Sequence, residues 1–158
     1  MNLLRNRIGR RITAGFAMIL LALGITTVVN PAPASASATS CVFYGAMLNT
    51  GVHNGQFCGS VNGSGTYINY VTGSFGATIP GVDVVCNPSI KLDVFDRYDR
   101  WIASRQGSQK WGCFYGTWNS VNSISVYWGF PQADGGRLYV TLQSSGSRVA
   151  TTSYYFHS

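Results

Sequence analysis

The sequence predicts an all-β domain: an antiparallel sandwich or barrel of about eight to ten short strands, stapled by two disulfides. Three observations predict it. Apolar and polar residues alternate over residues 39–158, turn residues recur roughly every ten positions, and all four cysteines lie in that stretch. The same stretch lacks the i, i+3, i+4 apolar spacing of an amphipathic helix.

The strands are expected, in order, at Val42–Leu48, Gln56–Val61, Thr66–Val71, Val82–Cys86, Ile90–Phe95, Trp101–Ser104, Lys110–Tyr115, Ser123–Gly129, Leu138–Leu142 and Val149–Phe156. Turn chemistry separates them: Asn54-Gly55, Asn62 to Gly65, Gly73, Pro80-Gly81, Asn87-Pro88, Gln106 to Ser108, Pro131, Asp134 to Gly136 and Ser145-Gly146. Alternation puts Ile124, Val126 and Trp128 on one face of a strand, and Leu138, Val140 and Leu142 on one face of the next. With Val82, Val84, Ile90, Leu92 and Val94 they compose a two-layer core for a single domain.

Four cysteines allow three pairings. Cys41 with Cys58 and Cys86 with Cys113 is favoured, because each pair closes a short span that a hairpin would bring together. A zinc site would call for C-x-x-C spacing, which the chain lacks.

An even cysteine count belongs to an oxidising destination, and the N-terminus supplies a route to one. Arg5, Arg7, Arg10 and Arg11 precede an uncharged run from Ala14 to Val29, too short for a comfortable membrane span. Asn30 and Pro31 then stop a helix, and Ala32 to Ala38 offers small residues for cleavage after Ala36 or Ala38. Residues 1–38 therefore read as a cleaved secretory signal and 39–158 as the mature domain, secreted, extracellular and without a stable membrane anchor.

Removing that signal takes four of the eleven basic residues with it, leaving seven Lys and Arg against five Asp and no Glu. A balance near +2 is no footprint for nucleic acid. The low charge implies a surface of Ser, Thr, Asn, Gly and Tyr.

No catalytic constellation is legible. A serine hydrolase needs a histidine held by packing, whereas His53 is expected inside a turn and His157 is the penultimate residue. No G-x-S-x-G elbow occurs, oxidised cysteines are poor nucleophiles, and without Glu the Glu-based acid/base chemistry of small secreted nucleases and glycosidases is missing, an Asp pair being its one substitute. Asp93, Asp96 and Asp99 form the one acidic concentration. Asp96–Arg100 reads as a charged hairpin turn with carboxylates facing Arg97 and Arg100; a loosely built Ca²⁺ site is the rival reading, without the D-x-D-x-D-G spacing. The expectation is no enzyme, no cofactor and no metal.

Aromatic side chains are the remaining candidates. Tyr98, Trp101, Trp111, Tyr115, Trp118, Tyr127 and Tyr139 cannot all share a core with the Leu, Ile and Val set, so some must be exposed. Tyr98, Trp101, Trp111, Trp118 and Tyr127 are chosen as binding residues. Exposed aromatics on a rigid sheet hold proteins through hot spots and sugars by stacking.

In layout, the signal, the cysteine-stapled β domain and the Gly/Ser/Tyr-rich surface resemble small secreted proteins of actinobacteria, of the killer-toxin-like kind or the umbrella-toxin adaptor kind. The resemblance covers the whole mature chain. The paired calcium signatures of crystallin-like killer toxins are unmatched, Asn119 to Ser123 being the nearest stretch, and no residue role carries over. The resemblance implies a role in interbacterial competition or at the cell envelope.

The expected function is thus a secreted, non-catalytic protein–protein interaction module, an adaptor or subunit of an extracellular assembly, with other secreted proteins as partners. The alternatives are a lectin-like domain stacking cell-wall glycan on Trp101, Trp111 or Trp118, and a protease inhibitor presenting a loop such as Gly135–Arg137. A free, strand-donating tail before Cys41 is a further expectation.

Overall fold

The computed structural model describes residues 37–48, 51–77, 84–116 and 118–156. The signal segment up to Ala36, Pro80-Gly81, Val82 and His157 lie outside the described residues. The described residues form eleven strands: β1 (Ala38–Leu48), β2 (Gly51–Ser64), β3 (Tyr67–Ala77), β4 (Val84–Cys86), β5 (Pro88–Phe95), β6 (Trp101–Gln106), β7 (Cys113–Tyr115), β8 (Asn119–Ser120), β9 (Ile124–Gly129), β10 (Arg137–Ser144) and β11 (Ser147–Tyr155). One 3₁₀ turn, Pro131–Ala133, separates β9 from β10.

The fold is all-β, with three sheets and two disulfides, and every pairing among the described strands is antiparallel. A five-stranded sheet runs β1-β2-β3 with β8 and β9 both on β3; a four-stranded sheet runs β11-β10-β5-β6; β4 and β7 form a two-stranded ribbon. Among the described strands no sheet closes into a barrel. The two larger sheets share one core, in which Phe57, Ile68, Val71 and Phe75 from one meet Ile90, Leu92, Val94, Val140 and Leu142 from the other.

Both disulfides join residues directly opposite each other, Cys41–Cys58 across β1 and β2 and Cys86–Cys113 across β4 and β7. The pairing favoured from loop length is the one found. The β10–β11 turn is Ser145-Gly146, both at positive φ, the geometry that matches strand twist in a two-residue hairpin.

Several expectations need correction. Asn54-Gly55 and Gly73 are not turns but lie inside β2 and β3. Gly73 is there because a Cβ would sit 2.9 Å from Phe57 Cε2 on the neighbouring strand and 3.1 Å from Ile90 Cγ2 on the opposing sheet. His53 is a fully buried β2 residue, not a turn residue. β4 turns Val85 inward rather than Val84, which is half-buried. Lys110 to Gly112 is loop, and only Cys113–Tyr115 of that predicted strand pairs. Trp128 leaves the core face of β9 because Tyr127 takes a left-handed φ of 46°, which breaks the alternation and exposes both rings. The residues before Cys41 are not a free tail: Ala38, Thr39 and Ser40 pair with Val61, Ser60 and Gly59.

Candidate interaction surfaces

The sequence of the β5–β6 turn explains its shape. Asp96 is buried, and its Oδ1 accepts the backbone N–H groups of Tyr98 (2.8 Å) and Arg100 (2.9 Å) while Oδ2 accepts Arg100 Nε at 2.7 Å. Burial alone would push this carboxyl up; the hydrogen bonds from Arg100 and Tyr98, with the Arg100 charge, outweigh it and hold it below the ordinary value. With Asp96 spent on the turn, Tyr98 projects outward between two guanidinium groups, Arg97 at 5.1 Å and Arg100 at 5.4 Å from its ring centre. Arg97 therefore stacks on a ring instead of facing a carboxylate.

This turn lies at one end of the two-layer body. The segment from Phe130 to Gly136 crosses between the sheets there: Phe130 donates to the Thr66 carbonyl, and Phe156 donates to that of Gly136. The crossing gathers Tyr98, Trp101, Tyr127, Trp128 and Tyr155, all more than half exposed, at the same end as Arg97, Arg100 and Arg137.

The opposite end carries a second aromatic set. Cys86 donates its N–H to Ser144 Oγ and accepts from the Ser145 N–H, tying the β4–β7 ribbon to the β10–β11 turn. Asn87 exchanges bonds with Gly112, its N–H to the Gly112 carbonyl (2.7 Å) and its Oδ1 from the Gly112 N–H (2.9 Å). On this scaffold stand Trp111, at 79% the most exposed of the large aromatics, Tyr115 and Trp118. Register shows the separation: Arg137 pairs with Phe95 at the first end and Ser144 with Pro88 at the second, seven residues further along β10, or roughly 23 Å.

Between the ends, the outer face of the four-stranded sheet forms an open trough of about 530 Å³. Cross-strand register lays out its rows. Trp101, Phe95, Arg137 and Tyr155 form the first; Ser104, Asp93, Tyr139 and Ser153 the second; Gln106, Lys91, Thr141 and Thr151 the third. Thr141 points away from the core yet is only 7% exposed, because the longer side chains around it make it a floor. Its Oγ1 lies 3.0 Å from that of Thr151. Hydrogen bonding from Arg137 to the Tyr139 hydroxyl, then the charge of Asp99, raises the Arg137 pKa above its ordinary value.

All five residues singled out from sequence are more than half exposed, but the structure does not bring them together. Tyr98, Trp101 and Tyr127 belong to the first end, Trp111 and Trp118 to the second. Sequence reasoning missed Trp128, assigned to the core, and Tyr155, whose place opposite Arg137 needs a register no single strand discloses. The inhibitor loop is corrected too: Gly136 is buried and bonded to Ala133, and Arg137 already belongs to β10.

The three aspartates do not converge, since Asp93 pairs with Lys91 at 2.9 Å, Asp96 with Arg100, and Asp99 with Arg137 at 3.8 Å. Among the described residues no group of three His, Cys, Asp or Glu side chains is placed to hold a metal ion, and no helix is long and apolar enough to cross a membrane. No family model, curated protein or solved structure matches the chain.

Proposed function

We propose that this chain is a secreted, non-catalytic β-sandwich that joins other exported proteins, contacting one partner with each end. The observation that carries the reading is the placement of large exposed aromatics at both ends of the body, far enough apart that a single small ligand cannot touch both sets. Tyr, Trp and Arg are the side chains that dominate protein–protein hot spots, and the first end presents all three on a hydrogen-bonded turn. The second end is braced by a disulfide, which lowers the cost of ordering Trp111 and Tyr115 on binding. The signal-like N-terminus supports export, and the layout shared with toxin-particle adaptor subunits supports an antibacterial setting.

The test is recovery of the tagged protein from its native culture medium under non-reducing conditions, with co-purifying proteins identified by mass spectrometry. Wild type is compared with Tyr98→Ala/Trp101→Ala and with Trp111→Ala/Trp118→Ala. The reading expects wild type to bring exported partners and each variant to lose a different one. Recovery of wild type alone, or both variants keeping every partner, would refute it.

A further inference from the structure

The trough shares its first row with the first end, but its Lys91, Thr141, Gln143, Arg148 and Thr151 lie beyond that end, and their chemistry points to a ligand of its own. We propose that it binds an anionic oligosaccharide lying along β10. The charge balance is the first reason. Lys91, Arg137 and Arg148 line the trough against Asp93 and Asp99. Lys91 is taken up by Asp93 at 2.9 Å, whereas Arg137 is held by Asp99 only at 3.8 Å. The Arg148 side chain has no hydrogen-bond or ion-pair partner among the described residues and is exposed. The Arg148 guanidinium, unsatisfied by the protein, and that of Arg137, which donates to the Tyr139 hydroxyl at 3.4 Å but keeps Asp99 only at 3.8 Å, are suited to planar or tetrahedral oxyanions.

The second reason is the distribution of those charges. Gln143 pairs with Arg148, and Arg137 with Tyr155, so the two arginines stand near opposite ends of the trough, roughly 20 Å apart along the strands. A single small anion cannot reach both; a linear polymer with repeated acidic groups can. Between them the surface offers hydroxyls and rings: the Thr141 and Thr151 floor, Tyr139 perpendicular to Phe95 at 5.4 Å between ring centres, and Gln143. Hydroxyl and amide groups beside flat rings match the alternating O–H and C–H faces of a sugar chain. An acidic peptide fits less well, because its backbone N–H and C=O groups would face side chains rather than an open strand edge.

A guanidinium does not distinguish a carboxylated sugar from a sulfated one, so both are probed. Titration calorimetry on the purified protein would use oligogalacturonate, a heparin hexasaccharide, neutral maltohexaose and hexaglutamate. One or both anionic glycans should bind, and Arg148→Ala should weaken that binding tenfold or more, the loss expected for one charge-assisted hydrogen bond. Thr141→Phe should block the floor and abolish binding in protein that keeps its thermal transition. Absence of glycan binding, equal binding of maltohexaose or hexaglutamate, or an unaffected Arg148→Ala variant would each overturn the proposal. Neither substitution touches the aromatics of either end, so partner capture and glycan binding can fail independently.

Discussion

Asp96 and Arg100, four residues apart, close the β5–β6 turn with two hydrogen bonds to one carboxylate, one from the Arg100 backbone and one from its side chain. The consequence is a pH dependence with a definite sign. The Asp96 carboxyl titrates below its ordinary value near pH 4 once folded, so its contribution is complete above that value and is lost as pH falls through the folded-state pKa. Thermal unfolding followed from pH 7 to 2 should show a falling midpoint below about pH 4. Asp96→Asn should lower the midpoint at neutral pH and make the acid limb shallower; an unchanged acid limb would assign it to other groups.

Gly59 and Gly73 face each other across β2 and β3, and a Cβ on either would crowd side chains of the opposing sheet. A Cβ on Gly59 would lie 2.8 Å from both Thr152 Cγ2 and Tyr154 Oη. The Thr152 methyl sits on a branched, stiff side chain and cannot swing clear. Gly59→Ala should therefore destabilise the domain by about 1–3 kcal/mol in urea unfolding. Gly45, in β1 with open space around it, is the control: Gly45→Ala should stay within about 0.5 kcal/mol of wild type.

Those glycines mark what sequence could and could not disclose. All ten predicted strands have a counterpart; in β5 and β10 apolar residues alternate with others from Ile90 to Val94 and from Arg137 to Gln143, the pattern that one core-facing side imposes. The disulfide pairing followed from span length. What failed depended on distant chain. Gly73 carries the same letter as a turn glycine and differs only in facing Phe57, Ile90 and Val121. Trp128 fits a core pattern until one left-handed residue shifts it. Sequence named five exposed aromatics, but their division between two ends comes from the register of β5 on β10, and the trough from side chains of β5, β10 and β11 meeting across strands.

The two disulfides should separate stability from binding. Their sequence separations of 17 and 27 residues give each about 3 kcal/mol in the chain-entropy picture. Cys41→Ser/Cys58→Ser removes a link between strands already paired from Ala38 to Leu48, so it should lower stability and leave partner capture intact. Cys86→Ser/Cys113→Ser frees a ribbon of only three pairs beside Trp111, so it should also lose the partner bound at the second end. Equal binding by the two variants would mean the ribbon holds its shape without the bond.

Tyr127 offers the sharpest separation of ring from backbone, because a left-handed φ costs a non-glycine residue about 1–2 kcal/mol, and nothing is gained in the core by a ring that stays exposed. A strained residue presenting an exposed aromatic is the pattern expected where conformation serves contact rather than folding. Tyr127→Ala keeps the strain and removes the ring; Tyr127→Gly removes both. The glycine variant should accordingly be more stable than the alanine variant by about 1 kcal/mol, reversing the usual order of those residues in a strand. Both should lose first-end partner binding to the same extent, since they lack the same ring. Alanine more stable than glycine would remove the strain from the argument, and retention of partner binding by both variants would take Tyr127 out of the contact surface while leaving Tyr98 and Trp101 to carry it.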